Sequence, residues 1–198
     1  MEWDLQPPKF EKISDSDVVL QSEALKGIRI SLLVTGCIAS YRIPDIIRVL
    51  RKQGAETQVL CSRTAFEFVT ERTLHWTSGK KVISSLTGDA EHLDGEIPCD
   101  LYLVAPATYN TINKFAQGIA DSVVTLTLAS ALGRLEDKGT PILICPAMHG
   151  SMHNSILMDS MTKLRDKGVT FVKPKQEDFK NKLPEPEDIL NAVIEALK

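Results

Sequence analysis

Short apolar runs alternate along this chain with stretches whose apolar residues recur every three or four positions. Residues 28–34, 57–61, 101–105, 141–145 and 169–172 are runs of the first kind, and each predicts a strand. Residues 39–52 place Ile43, Ile46, Ile47 and Leu50 on one helical face, and Gly54 stops that helix. A short helix is expected over 64–69, and two more over 111–117 and 122–131, parted by Gly118. A polar loop follows over 133–139. Further helices are expected over 155–166, closed by Gly168, and over 187–197. Strands alternating with helices make βαβ units, and continuous rather than alternating apolar strands are buried on both faces. The expected fold class is therefore α/β: one three-layer domain with a mostly parallel sheet flanked by helices.

Residues 1–27 differ. Pro7, Pro8, Lys9, Glu11, Lys12 and the polar stretch 14–17 give polarity without sustained periodicity. They read as an N-terminal extension that packs on the surface or pairs with a neighbouring subunit, with a disordered tail as the alternative. The domain proper is then 28–198.

Composition narrows the class. A chain of 198 residues, 43% hydrophobic and 25% charged, suits one globular domain and argues against disorder. Its 23 basic against 26 acidic residues leave a net charge of −3, which weighs against a nucleic-acid partner. No apolar run approaches the ~20 residues of a membrane span, and the polar, acidic N-terminus does not read as a secretory leader. Cys37, Cys61, Cys99 and Cys145 form no CxxC pair and sit in or beside apolar runs. Buried free thiols in a reducing cytoplasm account for them.

In an open α/β sheet, ligands bind beyond the carboxyl ends of the strands. Four segments occupy that edge. In the first, Thr35-Gly36-Cys37-Ile38-Ala39-Ser40, Gly36 is expected at a tight turn with positive φ. The amides near Ile38 to Ser40 would open the next helix and suit an anion such as phosphate, although the segment taken alone favours a plain strand-to-helix turn. In the second, Ser62 or Thr64 could cap the helix carrying Phe66 and Phe68, or contact a bound cofactor. The third, Ala105-Pro106-Ala107-Thr108-Tyr109-Asn110-Thr111, packs small and polar residues where a flat ring system would need close backbone approach. A Pro-initiated turn and capped helix is its plainer reading. The fourth, residues 146–154, carries His149 and His153 four apart. Gly150 weakens a helix there and no Glu lies between them, so no metal is expected.

Together these segments resemble the homo-oligomeric flavin-containing cysteine decarboxylases, over about residues 28–165. Gly36-Cys37-Ile38-Ala39-Ser40-Tyr41 is similar to that family's phosphate turn. Residues 105–111, with Ile112-Asn113-Lys114 and Gly118-Ile119-Ala120-Asp121, resemble its PASANT motif and continuation. Pro146-Ala147-Met148 with Met152 resembles its Pro-x-Met-Asn-x-x-Met segment, and Ser78-Gly79 a shorter landmark.

The resemblance implies a Rossmann-like flavoprotein domain that binds FMN at a subunit interface of a homotrimer or dodecamer. It implies phosphate contacts from Gly36, Cys37, Ile38, Ala39 and Ser40. Ser62, Thr64, Phe68, Ala105, Pro106, Ala107, Thr108, Asn110, Thr111 and Met148 would line the rest of the cofactor. Asn110, Met148 and His149 would meet the substrate, a small molecule or peptide ending in cysteine. The family's base, a His eight residues before the Asp that opens the third strand, corresponds to His92 before Asp100. A neutral imidazole can take a proton at cellular pH, whereas the plainer reading is a surface-loop His.

The implied activity is oxidative decarboxylation of a cysteine-derived carboxylate, as in coenzyme A biosynthesis. Two departures stand out: His149 replaces the family's Asn, and no cysteine follows Cys145 to serve as the family's lid Cys. Residues 173–186 are rich in Lys, Glu, Asp and Pro and lack the Gly-rich character of a lid. Alternative functions are an electron-transfer flavoprotein without decarboxylase chemistry and a regulatory subunit of a decarboxylase.

Overall fold

The structure, a computed structural model, describes residues 16–93 and 99–198. Its first strands are β1 (Arg29–Val34), β2 (Glu56–Cys61), β3 (Leu101–Ala107) and β4 (Ile142–Pro146). After a two-residue strand β5 (Met148–His149) comes β6 (Thr170–Phe171). Of these six, all but β5 form one parallel sheet in the order β2-β1-β3-β4-β6. The fold is α/β and Rossmann-like, with helices on both faces.

The pleat explains why both faces are covered. In β1, Leu32 and Val34 enter one core cluster and Leu33 enters the other. The first cluster packs under α1 (Ile43–Lys52), α2 (Glu71–Ser78) and, at the far end of the chain, residues 186–196. It takes in Ile43, Ile46, Ile47, Leu50, Leu74, Ile189 and Val193. The second packs under α3 (Tyr109–Ala116), α4 (Val123–Lys138) and α5 (Ser155–Arg165), and includes Tyr102, Val104, Phe115, Leu128 and Leu157.

Four elements differ from the sequence expectation. The helix expected to end at 131 continues as α4 to Lys138, so 133–139 is not a loop. Leu132 and Leu135 pack on the second cluster, and Gly139 at φ 73° supplies the left-handed stop. Helix α2 was not foreseen. It buries one large apolar residue, Leu74, and its signals are the cap Thr70, which accepts from the Thr73 N–H at 3.1 Å, and Gly79 at φ 70°. The helix expected over 64–69 is a 3₁₀ segment, Arg63–Glu67.

The fourth difference lies in 173–186. There β7 (Lys175–Glu177) and β8 (Lys180–Lys182) form a hairpin that pairs with β5 in the antiparallel order β5-β8-β7. The chain closes with α6 (Pro186–Ala196). Of the proposed N-terminal extension, residues 1–15 lie outside the described residues. From Gln21 to Leu25 the chain caps the end of α1, with the Gln21 N–H donating to the Lys52 carbonyl and the Leu25 N–H to that of Gln53, each at 2.8 Å. Leu25 is buried in the first core cluster.

Candidate active site

The chain runs from β1 outward to β2 and then returns past β1 to β3. Connections therefore leave in opposite directions between β1 and β3, which opens a crevice beyond their carboxyl ends. A cleft of about 1440 Å³ lies there. Its walls include Gly36, Cys37, Ile38 and Ala39 after β1, and Ser62, Thr64 and Phe68 after β2. Thr108, Asn110 and Thr111 follow from β3, and Met148 and His149 from β5. Ser40, Ala105, Pro106 and Ala107 do not line it.

Each exception has a structural reason. Ser40 is fully buried; its Oγ donates to the Thr35 carbonyl at 2.7 Å and accepts from the Cys37 N–H at 3.3 Å. It shapes the turn from behind. Ala105, Pro106 and Ala107 continue β3 as buried strand, so the exit comes later than expected, at Thr108. Thr108 caps α3, its Oγ1 accepting from the Thr111 N–H at 3.3 Å.

Gly36 is not at positive φ, contrary to expectation. Its lack of a side chain matters for another reason. A Cβ there would lie 2.5 Å from Thr64 Oγ1 and 2.7 Å from the Thr64 backbone carbon, so the first two turns touch directly at this glycine. Neither Ser62 nor Thr64 caps the following 3₁₀ segment. Their hydroxyls share a hydrogen bond at 3.1 Å and line the cleft.

Thr35 was missed by sequence reasoning. Its buried Oγ1 donates to the Pro106 carbonyl at 2.7 Å and accepts from the Thr108 N–H at 3.3 Å, tying the ends of β1 and β3 together. A hydroxyl as the last residue of an apolar run, directly before a glycine, was the available signal. Also unforeseen in the wall are Arg42, Arg63, Ser84 and Ser85, the hydroxyls of Ser122 and Thr125, and residues 180–183 of the hairpin.

His92 sits in a 3₁₀ turn, Glu91–Leu93, held against α4 by the Arg134 guanidinium, which donates to the Leu93 carbonyl at 2.6 Å. Its Nδ1 is buried and has no hydrogen-bond partner among the described residues. His92 does not line the cleft of its own chain.

The two later histidines are separately engaged. His149 Nδ1 accepts from the Ser151 N–H at 3.2 Å and lies 2.7 Å from Ser151 Oγ. Asn181 Nδ2 donates to His153 Nδ1 at 2.7 Å, and His153 Nε2 faces Met158 Sδ at 2.8 Å. Among the described residues no cluster of three metal-ligating side chains occurs.

All four cysteines are free thiols. Burial pushes the Cys61 thiol up to about 12, with the Glu71 charge adding to it, and burial also raises Cys145. Cys37 lies in the cleft wall. Burial raises its thiol, while the Ala39 N–H, the Ser40 hydroxyl and the Ser40 N–H pull it partly back. None of these three is an activated nucleophile.

The model of the family described as Flavoprotein matches residues 19–198. This chain belongs to the Flavoprotein family. The flavoprotein is 35% identical over 182 residues to the coenzyme A biosynthesis bifunctional protein CoaBC of Thermococcus kodakarensis, covering 89% of this chain and 44% of that protein. It is 34% identical over 178 residues to the CoaBC protein of Methanocaldococcus jannaschii, covering 89% and 43%. The chain thus spans less than half the length of these curated relatives.

Among solved structures, the flavoprotein superposes on the FMN-dependent cysteine decarboxylase SpaF with a TM-score of 0.75 at 24% identity, covering 87% of this chain and 97% of that one. A PPC decarboxylase variant complexed with pantothenoylaminoethenethiol gives a TM-score of 0.70 at 20% identity, covering 84% and 96%. These similarities establish a shared fold.

The residues present fit a flavin nucleotide. The cleft exceeds the roughly 300–1,000 Å³ of a typical single-ligand site, which leaves room for a cofactor and a substrate together. It combines apolar surface from Ile38, Phe68, Val124 and Met148 with hydroxyls from Ser62, Thr64, Thr108, Thr111 and Ser122. No helix among the described residues is long and apolar enough to cross a membrane.

Proposed function

We propose that this flavoprotein binds FMN in the cleft and catalyses oxidative decarboxylation of a cysteine-derived carboxylate, on a small molecule or a peptide ending in cysteine. The observation that carries the reading is the convergence of the turns after β1, β2 and β3 at the switch point, in a chain of the Flavoprotein family. The amides and small side chains of residues 36–39 hold the phosphate. Ser62, Thr64, Thr108 and Thr111 hold the polar chain, and Ile38, Phe68 and Met148 bear on the ring. When bound, the flavin supplies a two-electron acceptor for the Cβ–S side of the cysteine, which turns the substrate into an electron sink for the carbanion left by CO2. Asn110, Met148 and His149 position the substrate.

His92 serves as the base that takes the proton. Because His92 lies outside its own cleft, it serves the cleft of a second copy. That requires FMN at a subunit interface, in a homotrimer or a dodecamer. Ile38 and Tyr41, at 71% and 62% exposure on the cleft rim, give that interface apolar surface. The free thiols and the coenzyme A relatives support a cytoplasmic setting.

The test starts from an absorbance spectrum of the purified protein and mass identification of the released chromophore. With a cysteine-terminated compound that bleaches the wild-type flavin, His92→Asn should keep flavin content and slow bleaching ~10²–10⁴-fold. A loss of only a few-fold removes His92 from the role. His149 in place of Asn and the lack of a cysteine after Cys145 favour a second reading, a flavin carrier without decarboxylase chemistry. In that case chemical reductants bleach the flavin and cysteine derivatives do not.

A further inference from the structure

The small sheet β5-β8-β7 ends on β7, and among the described residues no strand lies beyond it. Lys175, Gln176 and Glu177 of β7 are all exposed, and none lines the cleft. Which of their backbone groups face outward follows from the turn. Asp178 and Phe179, at φ 51° and 59°, make a two-residue loop between Glu177 and Lys180. In such a hairpin the flanking pair, here Glu177 and Lys180, exchanges both backbone hydrogen bonds, and the next pair, Gln176 and Asn181, exchanges none. The far side of β8 agrees: the Phe179 carbonyl faces β5, where the Gly150 N–H donates to it at 3.0 Å. Phe179 and Asn181 thus turn their backbone groups to β5. Gln176 turns its N–H and C=O to the open edge.

Such an edge can pair with an identical edge about a two-fold axis. With the axis at Gln176, that residue and its copy exchange two N–H···O=C bonds. Lys175 then stands opposite the partner's Glu177, and Glu177 opposite the partner's Lys175. These are non-hydrogen-bonded pairs, where side chains come closest. Opposite charges there attract and like charges repel. A slip of two residues would set Lys175 on its own copy, or Glu177 on its own copy. A slip of one would break the backbone pairing. Charges on an edge ordinarily keep copies apart, whereas this order of charges admits one register and excludes its neighbours. The two side chains also meet within the strand at 3.4 Å, yet they remain 50% and 46% exposed, so each can still reach a partner. Continued past the strand, the same register brings Phe179, 95% exposed at the tip, beside the partner's Lys173.

We propose that the β7 edge is a two-fold contact between copies of this chain, joining one trimer to another. Three residues make a small contact. A trimer presents three such edges, and linked contacts reinforce one another. The contact needs nothing from the flavin site, and rests on the trimer reading only for what it joins.

Analytical ultracentrifugation of the purified protein tests this. Wild type should contain an even number of copies. Gln176→Pro removes the outward N–H and no bond to β8, and should at least halve the mass with flavin content unchanged. Lys175→Glu and Glu177→Lys should each do the same, by setting like charges opposite. Mixing these two charge variants sets opposite charges face to face again. The mixture should restore a species at least twice the mass of either alone, which no change within a single chain can do. An odd-numbered wild-type assembly, wild-type mass in the charge variants, or no gain on mixing overturns the contact. Should Gln176→Pro lose its fold, the mixing experiment decides alone. Failure of the trimer reading shows separately, as an edge-dependent dimer that each variant splits into monomers.

Discussion

The two walls of the cleft are held by different forces. The wall from β1, β2 and β3 rests on a parallel sheet buried on both faces, and its turns are locked by contacts that leave no slack: Gly36 against the Thr64 backbone, Thr35 bridging to residues 106 and 108. The opposite wall is the hairpin β7–β8. It buries little beyond Asn181 and Leu183, and it is tied down by one strand pairing, one backbone contact at Gly150, the Asn181–His153 hydrogen bond and the Lys175–Glu185 ion pair. The first wall moves only if the core repacks. The second can move while the core stays intact. A rigid wall suits a resident cofactor, and a separately anchored one suits an exchanging substrate.

Glycine substitutions, one on each wall, test this difference most strongly. Gly36→Val puts a branched side chain where even a Cβ meets Thr64 at 2.5–2.8 Å, backbone included. The turn must shift against the sheet. The expected cost is about 2–3 kcal/mol, a fall in Tm of roughly 5–10 °C, with loss of flavin. Calorimetry and the absorbance spectrum read both. A fully flavinated variant with wild-type Tm contradicts the locked-wall picture.

Gly150→Ala is the counterpart. Its Cβ would lie 2.2 Å from the Phe179 carbonyl oxygen, so the hairpin must lift. Trypsin should then cut within 173–182 faster, while Tm changes by no more than about 2 °C and flavin is retained. A Tm loss as large as that of Gly36→Val would show that the hairpin belongs to the same cooperative unit as the sheet.

The same division explains what could be read from the sequence. β1, β3 and β4 are legible because a strand buried on both faces must be continuously apolar. The strand exits are legible because they break that pattern with Gly36, Ser62 and Thr108. Residues whose role is to hold one exit against another, such as Thr35 and Ser40, give no periodic signal and are easily taken for ligand contacts. The hairpin was illegible for a further reason. Its turn uses Asp178 and Phe179 at φ 51° and 59°, where Asn-Gly or Asp-Gly would have announced a hairpin, and its strands are three residues each and mostly exposed. Its place is set by Gly150, Asn181 and His153, which are distant in sequence. His92 is a separate case: the resemblance suggests its chemistry through its spacing from Asp100, while the fold leaves it outside the cleft of its own chain.

The smallest expected effect comes from acid. The Arg42 hydrogen bond first, and Lys175 after it, hold Glu185 below the usual carboxylate range. Lys182 and Lys175 do the same for Glu177, and Lys182 for Asp178. Carboxylates with lowered values in the folded state stabilise it fully above their unfolded pKa of about 4, and that contribution is lost as pH falls through the folded value. The groups are exposed, so each pair adds little. All three nevertheless lie in the hairpin or in the segment leading from it into α6, and none lies in the sheet. Amide exchange corrected for intrinsic rates should therefore show protection at residues 180–182 declining below about pH 4, while β1 and β3 keep theirs. Parallel loss in both places would mean that the ion pairs do not set the hairpin's independence, and that the two walls rise and fall with the core they share.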